Sequence, residues 1–98
     1  MKYAVRLREE ADQDLRDAAE WYEKQRAGLG AQFLDQVLKT VNTIGDQPES
    51  FPVVYRGLRR ALLARFPFAV FYRVLDQEAV VFSIMHASRD PENWKTRY

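Results

Sequence analysis

The chain has no cysteine among its 98 residues. That excludes a disulfide framework and thiolate chemistry; it is neutral on compartment and compatible with a reducing cytosol. It has a single histidine, His86. One imidazole without any thiol does not make a zinc ligand set, and no metal is expected. The four glycines form no phosphate-cradling loop. No serine sits in a nucleophile motif: Ser83 falls in the middle of a strand pattern and Ser88 in a turn. Carboxylates paired for acid–base work are also missing, and no cofactor is expected. No apolar run approaches the ~20 residues of a membrane helix. The N-terminus, Met-Lys-Tyr-Ala-Val-Arg, alternates too soon for a signal peptide, so no membrane partner is expected. A more local absence is the most informative one: Asp and Glu are missing from Phe51 to Leu75.

What is present fits one globular domain spanning residues 1–98. Hydrophobic content of 47% with 30% charged residues argues against disorder. The net charge of +1 is unevenly placed. Residues 1–52 hold 7 basic and 10 acidic side chains, a balance of −3; residues 53–98 hold 8 and 4, a balance of +4. Such asymmetry points either to an acidic or polyanionic partner for the second half or to ordinary scatter.

Tyr3–Leu7 alternates and reads as a half-buried strand. Glu9–Gln25 reads as a helix, with Ala11, Leu15, Ala18 and Tyr22 on one stripe and acids in its first turn. Gly28-Leu29-Gly30 suits a tight turn into a second helix over Ala31–Ile44, with Phe33, Val37, Val41 and Ile44 inward. Gly45 and Pro48 end it, and Gln47–Arg56 reads as a loop. Three strands follow: Leu58–Ala64, Phe68–Leu75 and Ala79–His86. In the last, strict alternation puts Ala79, Val81, Ser83 and Met85 on one face. Asp90-Pro91 opens a short C-terminal helical tail that would bring Trp94 back onto the sheet. The fold class is α+β, in the order β-α-α-β-β-β: one antiparallel sheet with a helical hairpin on one face. Both faces of the later strands are apolar, so the face away from the hairpin needs a cover, either the tail or another chain.

Arg59, Arg60, Arg65 and Arg73 are threaded through the apolar run of those strands. Strand neighbours point to opposite faces, so Arg59 shares its face with Ala61, Leu63 and Arg65. Placed away from the helices, that face would offer two guanidinium groups on an apolar floor, suited to phosphates or carboxylates. The alternative is an edge strand that carries charge to resist aggregation. At the end of the last strand, His86 has the chemistry of a general base, and Arg89 could grip a phosphate. Alternatively His86 caps the strand end and Arg89 pairs with Asp90 or Glu92.

In order and spacing, several pieces resemble the RelE/ParE family of bacterial type II toxins, also called plasmid-stabilisation proteins. They are Asp14-Leu15 and Trp21-Tyr22-Glu23; Gly28-Leu29-Gly30 with Phe33; Ile44, Pro48 and Phe51-Pro52; Leu58-Arg59-Arg60; Arg65-Phe66-Pro67-Phe68; Phe71-Tyr72-Arg73; and His86 with Arg89-Asp90-Pro91 and Trp94. The resemblance covers nearly the whole chain. It implies a small cytoplasmic toxin that inhibits growth until a cognate antitoxin wraps it, adding a helix or strand to its surface. A homodimer and a toxin–antitoxin hetero-oligomer are the assemblies it leaves open. RelE-like members are mRNA interferases that cut mRNA in the ribosome with a cluster of Lys, Arg and a terminal Tyr or His. ParE-like members poison DNA gyrase. Aligned on Phe71-Tyr72, two basic positions of the RelE-like set fall on Ala64 and Ala69, the late arginine on Arg89, and the terminal tyrosine near Trp94, with Tyr98 the nearby phenol. The nuclease set is therefore partial, with Arg89, His86 and Arg65 as its catalytic candidates. The favoured reading is ParE-like, with Arg59, Arg60, Arg65, Arg73, Arg89, Trp94 and Tyr98 contacting the target or partner. A third reading is an inactive relative that still binds antitoxin.

Overall fold

The alternating stretch near the N-terminus forms strand β1 (Ala4–Leu7), with Val5 and Leu7 half-buried and Ala4 and Arg6 exposed. These positions come from a computed structural model, which describes residues 2–87. Arg89, Trp94, Tyr98 and the expected tail helix lie outside the described residues. Helix α1 (Glu9–Gln25) follows, with Glu9, Glu10 and Asp12 in its first turn, where the helix dipole favours acids. Its stripe of Ala11, Leu15, Ala18 and Tyr22 packs into the core, as the spacing requires.

Helix α2 (Leu29–Asp46) begins two residues earlier than its apolar stripe suggests. The cause lies in α1. The Glu23 carboxylate accepts hydrogen bonds from the Gly28 N–H at 3.0 and 3.1 Å and from the Gly30 N–H at 3.0 Å. A side chain of the preceding helix thus satisfies amide groups that the start of a helix leaves without partners. Gly28 sits at φ 89°, the left-handed region that costs glycine least. Gly30 is required for a different reason: a Cβ there would lie 2.6 Å from the Ala19 carbonyl oxygen. That atom belongs to the α1 backbone and cannot swing aside. Gly30→Ala would gain up to about 1 kcal/mol of helix propensity but force the two helices apart. A net destabilisation of about 1–3 kcal/mol, the range for overpacking, is expected in urea unfolding. An unchanged midpoint would show that the helices tolerate separation.

A 3₁₀ turn (Pro48–Ser50) leads into strands β2 (Val53–Tyr55), β3 (Leu58–Leu62), β4 (Phe68–Leu75) and β5 (Glu78–His86). The strand order is β1-β5-β4-β3-β2. The architecture is α+β with the helical hairpin on one face, as expected. Two features differ from the expected sheet. First, β1 runs parallel to β5, so the sheet is mixed and not wholly antiparallel. The alternation of β1 fixes its faces but says nothing of its direction, and the helical hairpin between β1 and the other strands is long enough to permit a parallel return. Second, β2 falls inside the segment read as a loop. It is a three-residue edge strand between Pro52 and the Arg56-Gly57 turn, both of whose residues have positive φ.

The register of β4 and β5 shifts once. Phe71 pairs with Ser83 and Tyr72 with Val81, leaving Phe82 as an extra residue. A bulge reverses the alternation beyond it. Ala79, Val81 and Ile84 therefore pack on the helix side with Phe33, Val37 and Ile44. Ser83 and Met85 join Ala69 and Phe71 on the opposite side. The bulge thus separates Ser83 and Met85 from Ala79 and Val81, which strict alternation places together on one face. β1 pairs only with residues 78–81 of β5. Past that point Asp14 of α1 covers the strand edge, its Oδ2 accepting the Ile84 N–H at 3.0 Å.

Candidate functional site

The sheet face away from the helices has an apolar centre of Leu58, Ala69, Phe71 and Met85, with Val54, Tyr55, Phe82 and Ala87 around it. Arginines frame it. Arg60 lies opposite Phe71 in the β3–β4 ladder and shares its face. Its Nε is buried without a hydrogen-bond partner among the described residues. Arg73 donates from Nε to the Arg56 carbonyl at 3.1 Å, and its guanidinium lies 5.1 Å from the Phe82 ring centre. Arg8, just before α1, approaches the same ring at 5.1 Å. Arg56 stands over Tyr55 at 5.1 Å. Cations over ring faces at such distances are held by the ring quadrupole while keeping their charge. The result is a basic, aromatic rim around an apolar floor.

Arg60 and Arg73 are the sequence candidates that the structure brings together here. Arg8 and Arg56 join them unannounced. Arg8 stands in an acidic stretch, and nothing local reveals that the Phe82 bulge turns a ring toward it. Arg56 could have been suspected from Arg56-Gly57, a turn-forming pair bordering the acid-free run.

Arg59 is not on this face. Ala61 and Leu63, which alternate with it, pack in the helix-side core. The guanidinium of Arg59 donates to the carbonyls of Glu49 at 3.1 Å and Phe51 at 2.6 Å. It pins the loop after α2. The floor drawn around Arg59 and Arg65 therefore does not form, because the face that carries Arg59 is the one that α1 and α2 bury.

Tyr72, the ladder partner of Arg59, is fully buried and donates its hydroxyl to the Pro48 carbonyl of the same loop. Burial pushes its pKa up to about 12, with the Arg59 charge pulling the other way. The folded value lies above the unfolded one near 10, so this group contributes stability that is intact below about pH 10 and is lost as pH rises toward 12. Tyr72→Phe should flatten that alkaline loss. It should also cost about 1–3 kcal/mol at neutral pH, because the Pro48 carbonyl loses its donor. Wild-type stability with an unchanged alkaline slope would remove Tyr72 from this role.

The remaining candidates are separated. His86 lines a cavity of about 290 Å³ with Asp14, Asp17 and Phe68, its ring 5.5 Å from that of Phe68. Arg65 is exposed after β3 and lines a different groove of about 410 Å³, between α2 and β3, with Gln36 and Phe51. The two linings share no residue. Ala64 borders the Arg65 groove, whereas Ala69 is wholly buried. Arg89, Trp94 and Tyr98 lie outside the described residues. Among the described residues no three His, Asp or Glu side chains gather as metal ligands. No described helix is long and apolar enough to cross a membrane.

The family comparison is specific: the chain belongs to the ParE toxin family of type II toxin–antitoxin systems (parDE), whose model matches residues 5–91. Among solved structures, the chromosomal ParDE toxin–antitoxin system from P. aeruginosa shares the fold at TM-score 0.68 and 19% identity, covering 89% of this chain and 98% of that one. The intact E. coli RelBE toxin–antitoxin complex aligns at 0.65 and 20% identity, covering 89% and 99%. The isolated E. coli RelE toxin aligns at 0.64 and 18%, covering 96% and 94%. At such identities the structures speak for the fold alone. Comparison with curated protein sequences gives no match.

Proposed function

We propose that this chain is a ParE-like toxin that arrests growth in the cytoplasm by binding DNA gyrase, and that a cognate antitoxin neutralises it. The observation that supports this most is the separation of His86 from Arg65, the two nuclease candidates among the described residues. A base and a phosphate-gripping arginine must reach one scissile phosphate within hydrogen-bond distance. Here His86 and Arg65 line different cavities. Ala69 stands where an RNA-cutting relative would carry a base, yet it is 0% exposed in an apolar cluster. A lysine or arginine there would bury a charge among Leu58, Phe71 and Met85, at a cost of several kcal/mol.

The basic, aromatic face suits a protein-binding poison. Arginine and aromatic residues are the side chains that most often dominate protein interfaces. The gyrase reading is tested by expressing the chain without antitoxin and following DNA, RNA and protein synthesis in parallel. A DNA-damage response with intact mRNA is the expected result. Early translation arrest with cut mRNA would instead establish the RelE-like reading. Undisturbed growth would make the chain an inactive, antitoxin-binding relative.

A further inference from the structure

Arg60 carries a hydrogen-bond donor that the fold does not use. Its Nε is buried and has no hydrogen-bond partner among the described residues. A guanidinium has donors only, so nothing but an acceptor can satisfy it. The other two arginines of β3 and β4 are engaged. Arg59 donates to the Glu49 and Phe51 carbonyls, and Arg73 donates from Nε to the Arg56 carbonyl.

The backbone fixes where this side chain starts. The Arg60 N–H donates to the Pro52 carbonyl at 3.1 Å, on the β2 side. Arg60 and Phe71 are therefore a non-hydrogen-bonded pair of the β3–β4 ladder, the kind in which opposite side chains stand closest. Phe71 is buried and Arg60 half-buried, so the arginine stem lies in apolar surroundings. The sheet offers it no carboxylate. β2, β3 and β4 contain no Asp or Glu, and the one acid of β5, Glu78, stands at the start of that strand and pairs with Arg6 at 3.4 Å. A charge so placed, with a donor unmet, is unfavourable until an anion meets it. Because no bond holds its Nε, turning the head group outward breaks none there.

We infer that Arg60 seats the carboxylate of an Asp or Glu side chain of the target protein, bound side-on through Nε and a terminal nitrogen. The two oxygens of a carboxylate match that fork with two parallel hydrogen bonds. A nucleic-acid backbone is gripped differently, by several exposed bases that each neutralise a phosphate. Here Arg73 is engaged, and the surroundings are apolar and aromatic, as in the core of a protein interface. The inference rests on the gyrase reading and adds the chemistry of the contact: an acidic side chain presented from an apolar patch of gyrase.

The test is binding of the full chain to purified gyrase, with and without DNA. Arg60→Met keeps an apolar stem and removes the unmet donor. It should keep or raise the melting temperature yet weaken gyrase binding about tenfold or more, a split that a purely structural arginine would not give. Arg60→Lys keeps the charge but loses the fork, and should also weaken binding about tenfold, which keeps the test sound should the Met variant fold poorly. Wild-type binding should not need DNA. Wild-type affinity in both variants overturns the carboxylate seat while leaving the gyrase reading intact. Binding that appears only with DNA, with an effect of Arg60 that vanishes as salt is raised, assigns the seat to phosphate and overturns it as well. A wild-type chain that binds gyrase in neither form overturns both readings.

Discussion

Replacing Phe33 by alanine is expected to remove about 3–5 kcal/mol of stability, the upper range for large-to-small core changes. Phe33 is 0% exposed. Its ring centre lies 5.2 Å from Tyr22 on α1, 5.3 Å from Phe66 in the turn after β3, and 5.1 Å from Phe68 on β4. Three elements therefore meet on one ring, and the Tyr22 and Phe66 rings also touch each other, at 4.9 Å. A cavity at such a node cannot close by moving one neighbour, since each is held by the others. Against a total stability of about 5–15 kcal/mol for a domain, the loss is large enough to populate unfolded chain at 37 °C. Urea unfolding with a constant m-value gives the number directly. A loss under about 1 kcal/mol would mean that the hairpin is not anchored through this ring.

The second large effect concerns function. Arg60→Ala combined with Arg73→Ala is expected to abolish growth inhibition. Both residues border the apolar centre of the helix-free face, where half-buried arginines beside aromatic rings have the composition of interface hot spots. If each is worth about 2 kcal/mol to target binding, the pair weakens it roughly 10³-fold. Loss of the aliphatic stems costs some packing as well, so the double variant needs a thermal melt beside the growth assay. A variant that stays folded at 37 °C and remains toxic would remove this face from the target contact. Arg59→Ala supplies the contrast. Its guanidinium binds the Glu49 and Phe51 carbonyls, so its loss should lower stability without a separate loss of target affinity.

Helix positions and the core were legible because they depend on local period. The stripes of α1 and α2 packed as their spacing requires. Features set by pairing between distant segments were not legible. The parallel return of β1, the three-residue β2 and the bulge at Phe82 carry no local signature, and each is fixed by what lies alongside. The bulge matters most for the site: by putting one extra residue into β5, it sends Ser83 and Met85 to the helix-free side and sets Phe82 between Arg8 and Arg73. The acid-free run from Phe51 to Leu75 did mark where positive charge would gather. Alternation alone could separate Arg59 from Arg60 but could not say which of them the helices would cover.

The gyrase reading is met most directly by purified components: the chain, gyrase and relaxed plasmid, with a parallel incubation of translating ribosomes and mRNA. Inhibited supercoiling or trapped, cleaved plasmid at stoichiometric toxin, with the mRNA left whole, is the expected result. Cut mRNA with gyrase unaffected would contradict it.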